Sequence, residues 1–276
     1  MDSHAHIDFF DSERLGDCLR EAREVGVDYF VVPGVSRKRW PQLTEVAQHK
    51  NVFFALGEHP LELADASEIG AIMGNLSEEV EKINITSVVK KLVAIGEIGL
   101  DYYHLKENDL EGRRFQGEAF REQLSVAVKK SLPVIIHCRD RDGFVDAWND
   151  TILSIENCGI SPENVLFHCF SYGPEQVKMW CKRGGYVSLS GTVTRPNAEK
   201  SRAALPFIPP EQMLIETDSP FLLPHALRVA GRDEQPANEP KNVVEVARVI
   251  GGVLGKRKEE ILAKTLENGL RFFRIK

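Results

Sequence analysis

Short apolar runs alternate with amphipathic stretches along the whole chain. Residues 2–8 alternate with a period of two, which predicts a strand carrying His4 and His6 on one face. Leu15, Leu19, Ala22 and Val25 follow at helical spacing over 12–25, with Ser12 as the expected N-cap. Short β-prone runs predict buried strands at 29–33, 52–56, 92–95, 133–137, 165–168, 186–189 and 213–217. Helices are expected at 37–49, within the polar stretch 67–90 (an apolar stripe runs over 78–89), and at 114–130, 142–156, 175–181, 197–204, 240–254 and 257–272. Residues 100–113 and 219–240 read as long loops. Eight strands, most followed by a helix, predict an α/β fold, a single (β/α)8 barrel of the TIM type over residues 1–276. An open doubly wound sheet would instead place a glycine-rich phosphate turn after its first strand, and this chain has none there.

The strand ends carry side chains that do not belong in a core. Residues 92–103 read Leu-Val-Ala-Ile-Gly-Glu-Ile-Gly-Leu-Asp-Tyr-Tyr, so a carboxylate, Glu97, emerges between two glycines from a buried run. Such a group is costly unless something positive meets it. His4 and His6 lie on the first run, His59 follows the third, His137 and His168 end the fifth and sixth, and Asp218 follows the eighth. In a barrel these C-terminal ends form one mouth. Period-two parity places Glu216 on the face of Asp218, and turns Cys138 and Cys169 away from the face of His137 and His168, so the thiols are not counted as ligands. Four histidines and two carboxylates exceed the needs of one tetrahedral ion. They fit two divalent ions sharing Glu97 as a bridge, and the implied reaction is hydrolysis by a metal-activated water.

Composition narrows the class only a little. The 276 residues are 42% hydrophobic and 28% charged, ordinary for a globular protein. A net charge of -6 argues against a non-specific nucleic-acid coat, but metal ions and a few arginines can still hold a phosphate. The five cysteines are odd in number and include no Cys-x-x-Cys pair, which predicts reduced thiols and a cytoplasmic setting. A ligand expected as early as residue 4 argues against a signal peptide, and no apolar run reaches membrane-spanning length. No obligate protein partner is evident.

Eight segments, in order, span nearly the whole chain: Asp-Ser-His-Ala-His-Ile-Asp at 2–8, Gly-Glu-His-Pro at 57–60, Gly-Glu-Ile-Gly-Leu-Asp-Tyr-Tyr at 96–103, Ile-His-Cys-Arg-Asp at 136–140, His-Cys-Phe-Ser at 168–171, Ser-Leu-Ser-Gly at 188–191, Glu-Thr-Asp-Ser-Pro at 216–220 and Asn-Glu-Pro at 238–240. With them the chain resembles the TatD family of metal-dependent hydrolases, within the amidohydrolase-like barrels. The resemblance implies a divalent-metal-dependent deoxyribonuclease, often acting from the 3′ end. It further implies that His4, His6 and Asp218 bind one ion, His137 and His168 the other, and Glu97 both. Asp218 would also accept the proton of the attacking water, and His59 and Arg139 would contact the substrate phosphate. Glu58 departs from the family pattern, where a neutral residue is usual, and its charge would repel a phosphate.

Each assignment competes with a plainer one. A single histidine is more often a satisfied core or surface residue than a ligand; the set at the strand ends is what favours metal. Glu216 reads equally as the carboxylate that orients a ligand histidine or as a buried acid satisfied by backbone donors. Arg139 competes with a pairing to Asp140, and His59 with a turn hydrogen bond before Pro60. Asp101, Tyr102 and Tyr103 read as loop architecture, although a tyrosine can stack on a base; His49, His104 and His225 read as solvated or structural. Two further functions remain open. One is hydrolysis of an amide, lactone or ester, including an aminoacyl ester, disfavoured because the fourth strand ends in Glu97 without the carboxylated lysine common in such barrels. The other is a metal-stabilised scaffold, disfavoured because ligands at a barrel mouth describe an open site. Four imidazoles suit zinc or manganese, and family usage points to magnesium.

Overall fold

A computed structural model describes residues 1–63, 69–84, 91–232 and 234–276. The apolar stripe expected over 78–89 therefore lies partly outside the described residues. Among these, seven strands form a parallel α/β sheet whose order follows the chain: β1 (Phe30–Val32), β2 (Val52–Leu56), β3 (Leu92–Asp101), β4 (Val134–Arg139), β5 (Val165–Phe167), β6 (Tyr186–Leu189) and β7 (Met213–Ile215). The helices are α1 (Ser12–Glu24), α2 (Trp40–Val46), α3 (Ile69–Asn84), α4 (Leu110–Lys130), α5 (Asp146–Cys158), α6 (Pro174–Lys182), α7 (Glu199–Ala204), α8 (Val243–Leu254) and α9 (Lys258–Phe272). No helix among the described residues is long and apolar enough to cross a membrane.

The strand missing from the expected eight is the first. Asp2 makes only an isolated bridge to Phe30, and the segment then turns into a 3-10 turn at Ile7–Phe9. Its backbone is nonetheless spent on both sides. Asp2 N donates to Tyr29 O at 2.9 Å and Ala5 N to Val31 O at 3.0 Å, while Ser3 N donates to Ile215 O at 3.2 Å and His6 N to Ser219 O at 2.7 Å. Alternation between two neighbours bends the segment away from extended geometry, and His6 sits at φ -79, ψ 57. The period-two pattern at 2–8 was thus a true sign of sheet-edge pairing but not of a regular strand.

The chain divides into two compact units. One comprises Met1–Val32, His49–Phe53 and His168–Lys276, the other Pro33–Gln48 and Phe54–Phe167. In the first, β6 and β7 pair in parallel, and α8 and α9 pack on each other. The cap of α1 is Asp11, whose side chain accepts from Arg14 N, one residue earlier than expected. In the second, β3 pairs with β2 and with β4, and β4 with β5. Strand β3 runs through Glu97 to Asp101 rather than ending near Gly96, and the loop before α4 is correspondingly shorter. Two glycines make this possible. A Cβ on Gly96 would come within 2.7 Å of Ile135 Cβ, and one on Gly99, at φ +147, would strike the His137 carbonyl oxygen. Their absence of side chains lets β4 close on β3 with Gly99 opposite His137, which sets Glu97 beside that histidine.

Candidate metal centre

In the unit holding the chain's first residues, His4 and His6 are brought together by the doubly bonded segment just described. Their Nε2 atoms lie 3.2 Å apart, and Asp218 Oδ1 is 3.3 Å from one and 3.2 Å from the other. Asp218 reaches them because it turns into the left-handed region at φ +56, which an aspartate tolerates better than most residues, while its amide bonds to His4 O at 2.9 Å. Burial works to raise its carboxyl, but the bond to His6 and the nearby His4 and His168 outweigh it and hold the group below the usual carboxylate range. His168 stacks on His4 with ring centroids 4.0 Å apart and planes 9° apart. Its Nδ1 faces Glu216 Oε1 at 3.3 Å. Glu216 is fixed in turn by the Cys169 amide at 2.7 Å and by the Ser188 hydroxyl. Glu216 is thus fixed against His168, and with His4 the three form one of the groups able to hold a cation.

Asp2 holds the same turn from beneath. It accepts from Thr217 N at 2.9 Å and Thr217 Oγ1 at 2.5 Å, and burial pushes its carboxyl up to about 7 against those bonds. Asn238 adds Nδ2 to Thr217 O at 2.9 Å and its amide to Pro220 O at 2.8 Å. The Asn-Glu-Pro segment thus clamps the loop that carries Asp218, and Glu239 anchors it on Arg14 and Lys241.

In the other unit, Glu97, His59 and His137 converge. Glu97 is buried, with Oε1 at 2.9 Å from His137 Nδ1 and 3.3 Å from His59 Nε2. His137 Nε2 meets Asp101 Oδ2 at 2.9 Å. Burial alone would raise the Asp101 carboxyl, but bonds from His137 and His104 hold it far below the usual range. An ionised Asp101 favours the proton on Nε2, and in that tautomer the Nδ1 lone pair faces Glu97, while a doubly protonated ring bonds both carboxylates. His59 has the complementary state. Its Nδ1 accepts from Leu61 N at 3.1 Å, so neutral His59 carries its proton on Nε2 and offers a donor, not a lone pair. That suits a phosphate contact better than a metal ligand.

The remaining assignments resolve as follows. Arg139 is exposed and lies 4.0 Å over the Tyr103 ring, whereas Asp140 uses its carboxylate on the amides of Ala147 and Trp148 at the start of α5. Glu58, expected to repel a phosphate, is buried and accepts from Arg37 N at 2.8 Å, with the Arg37 guanidinium at 3.6 Å. Cys138 and Cys169 face hydroxyls of Thr151 and Ser190, away from the ligand positions. Asp101 was missed as a site residue. Its signal was available, since Glu97, Gly99 and Asp101 share one face if the strand is read on to residue 101.

These sets suit cations. Ligand bonds of about 2.0–2.1 Å around a tetrahedral ion place the donor atoms about 3.3 Å apart, and the His4–His6–Asp218 triangle has that size. Glu97 Oε1 and His137 Nδ1 lie 2.9 Å apart, with Nδ1 a donor or a lone pair according to where the ring carries its proton, and a cation there would draw on both.

The family profile described as TatD related DNase matches residues 1–274. The chain belongs to the TatD family. Among TatD relatives, the metal-dependent hydrolase YabD of Bacillus subtilis (strain 168) is 34% identical over 100% of this chain and 99% of its own length. The 3′-5′ ssDNA/RNA exonuclease TatD of Citrobacter rodentium is 29% identical over 94% and 91%. The crystal structure of the TatD homologue YjjV from Escherichia coli K12 superposes with a TM-score of 0.82 at 27% identity, covering 100% and 98% of the two chains. The protein is thus a metal-dependent hydrolase by family.

Proposed function

We propose that this TatD-family hydrolase is a deoxyribonuclease that cleaves phosphodiester bonds at a centre of two divalent ions. In this reading His4, His6 and Asp218 hold one ion, His137 and His168 the other, and Glu97 serves both; the single-domain (β/α)8 barrel is part of the same proposal. The His4–His6–Asp218 triangle, with donor atoms 3.2–3.3 Å apart as around one ion, is the observation that carries it. When bound, the ions supply a polarised phosphate oxygen and a more acidic water.

The chain's own groups supply the rest. Asp218, held ionised by the surrounding imidazoles, accepts the proton that the attacking water gives up. His59 presents its Nε2 proton, and Arg139 its guanidinium, to the non-bridging phosphate oxygens. Glu216 and Asp101 keep His168 and His137 in the orientation that ligation needs. Imidazole donors favour manganese or zinc over magnesium in affinity, and all three deserve a trial. The nucleic-acid substrate is supported by the activity named for the Citrobacter rodentium relative.

The test is hydrolysis of a 5′-labelled single-stranded oligonucleotide by metal-stripped protein resupplied with Mg²⁺, Mn²⁺ or Zn²⁺, with Glu97→Ala as control. A metal-dependent ladder absent from the control supports the nuclease and gives the direction of cutting. Absence of cleavage by protein shown to hold two ions moves the assignment to an ester or amide hydrolase.

A further inference from the structure

Arg139 is an exposed cation that is nonetheless held in place. It stands two residues beyond His137 on β4, so both side chains leave the strand on one face, and its partner in the β3 register is Asp101. Among the described residues its guanidinium makes no ion pair. What it meets is the Tyr103 ring, with the guanidinium carbon 4.0 Å over the ring centroid.

The kind of contact matters. The N–H donors of a guanidinium lie in its plane, and a carboxylate partner would take them up. An aromatic ring covers the face instead and leaves the donor edges open, where two parallel N–H groups can grip a phosphate. The acid next in sequence, Asp140, is turned to the amides of Ala147 and Trp148.

The ring is fixed in turn. Tyr103 follows the end of β3, where Tyr102 N donates to Arg139 O at 2.9 Å and the Tyr102 hydroxyl donates to Asp150 Oδ2 at 2.8 Å. His104 meets the Tyr103 ring edge-on, with centroids 4.9 Å apart and planes at 79°. The His104 amide and Nδ1 each lie 2.9 Å from Asp101 Oδ1, and His137 Nε2 lies 2.9 Å from Asp101 Oδ2. One buried carboxylate thus touches both the proposed ligand His137 and the imidazole that backs the ring under Arg139.

We propose that Tyr103 is a positioning residue: it holds the Arg139 guanidinium ready for the substrate phosphate and does not itself touch the substrate. The inference rests on the nuclease reading above. A long side chain at an exposed strand end gives up rotamer freedom when it binds, and the ring removes part of that loss beforehand. An exposed cation–π contact corresponds to about two- to fivefold in affinity.

The test measures kcat and KM on a 5′-labelled single-stranded oligonucleotide for Mn²⁺-loaded wild type, Tyr103→Leu, Tyr103→Phe, Arg139→Gln and the Tyr103→Leu/Arg139→Gln double variant. Tyr103→Leu should raise KM about two- to fivefold and leave kcat unchanged, as for binding lost equally from ground and transition states. Phenylalanine keeps the ring and should restore the KM. In the Arg139→Gln background the leucine substitution should have no further effect on KM. A raised KM that persists there means that the ring meets the substrate directly, which overturns the positioning role. An unchanged KM in Tyr103→Leu, with stability to urea lowered, marks a purely structural contact and overturns it as well. So does a loss of Mn²⁺ affinity by calorimetry, which would place the effect on His137 instead of Arg139. In these three cases turnover by wild type leaves the nuclease standing. Failure of wild type to cleave overturns the nuclease reading and the proposal with it.

Discussion

Asp101→Asn isolates the contribution of a group that touches neither substrate nor ion in the proposed centre. The carboxylate accepts from His137 at 2.9 Å through one oxygen and from the His104 amide and ring, both at 2.9 Å, through the other. The substitution keeps the shape and removes the charge. Hydrogen bonds to charged groups contribute about 1.5–3 kcal/mol each, and neutral ones about half that, so with three such bonds folding stability should fall by about 2–4 kcal/mol. Metal affinity should fall further than stability predicts. Without an ionised partner on Nε2, the His137 proton is no longer held away from Nδ1, and loss of such an orienting carboxylate costs about 10–100-fold in affinity. Calorimetric titration with Mn²⁺ or Zn²⁺ reads the affinity and urea unfolding of the metal-free protein the stability. Affinity within twofold of wild type, with stability lowered as expected, would refute the claim that Asp101 sets the His137 tautomer.

Other perturbations address separate links. Glu97→Ala should lose metal content and turnover together, and full metal content by elemental analysis would remove its ligand role. Asp218→Asn should keep the circular dichroism spectrum and lose at least a hundredfold in rate, as expected for loss of a proton acceptor, about 10²–10⁴-fold; near-normal turnover would exclude that role. Gly99→Ala forces a side chain against the His137 carbonyl at φ +147, so the variant should be destabilised by several kcal/mol or fail to accumulate, of order 3 kcal/mol from strain and overpacking together. The buried Cys18 and Cys181 thiols are pushed up to about 11 and about 12. At pH 8.5 their thiolate fraction is therefore lower than in the unfolded chain by about a hundredfold or more, and alkylation followed by mass spectrometry should label them slowly until urea is added. Because these folded values lie above the unfolded one, their contribution to stability is complete below about pH 8.5 and is lost as pH rises toward 11–12.

Legibility from sequence followed the physics of each signal. Seven strands were placed because each contains a short, mostly apolar run with few alternative explanations. The segment carrying His4 and His6 was read as regular because alternation records side-chain environment, and cannot distinguish a strand from a bent segment bonded on both sides. Glu97, His137 and Asp218 stood out as polar residues where apolar runs end. Asp101 did not, since Tyr102 and Tyr103 beside it imitate the start of a loop, and only the β3–β4 register shows the strand continuing. The Glu58–Arg37 pairing was equally hidden, because it joins residues 21 apart in sequence through a contact no periodicity encodes. Tautomers of His59 and His137 depend on partners supplied by the fold.

The segment at residues 2–6 has a consequence for the order in which this protein is made. Ser3 bonds to Ile215, His6 to Ser219 and Asp218 to His4, so one side of the segment carrying these ligand candidates is fixed by residues more than two hundred positions later. A ribosome-bound chain that has emerged only as far as α7 carries both imidazoles on a segment bonded to β1 alone. Capture of an ion by that triad is therefore a late event, and a chain cut short before β7 would expose histidines but no assembled ligand set. A ligand triad joined across more than two hundred residues cannot assemble before the later of its two segments has been made.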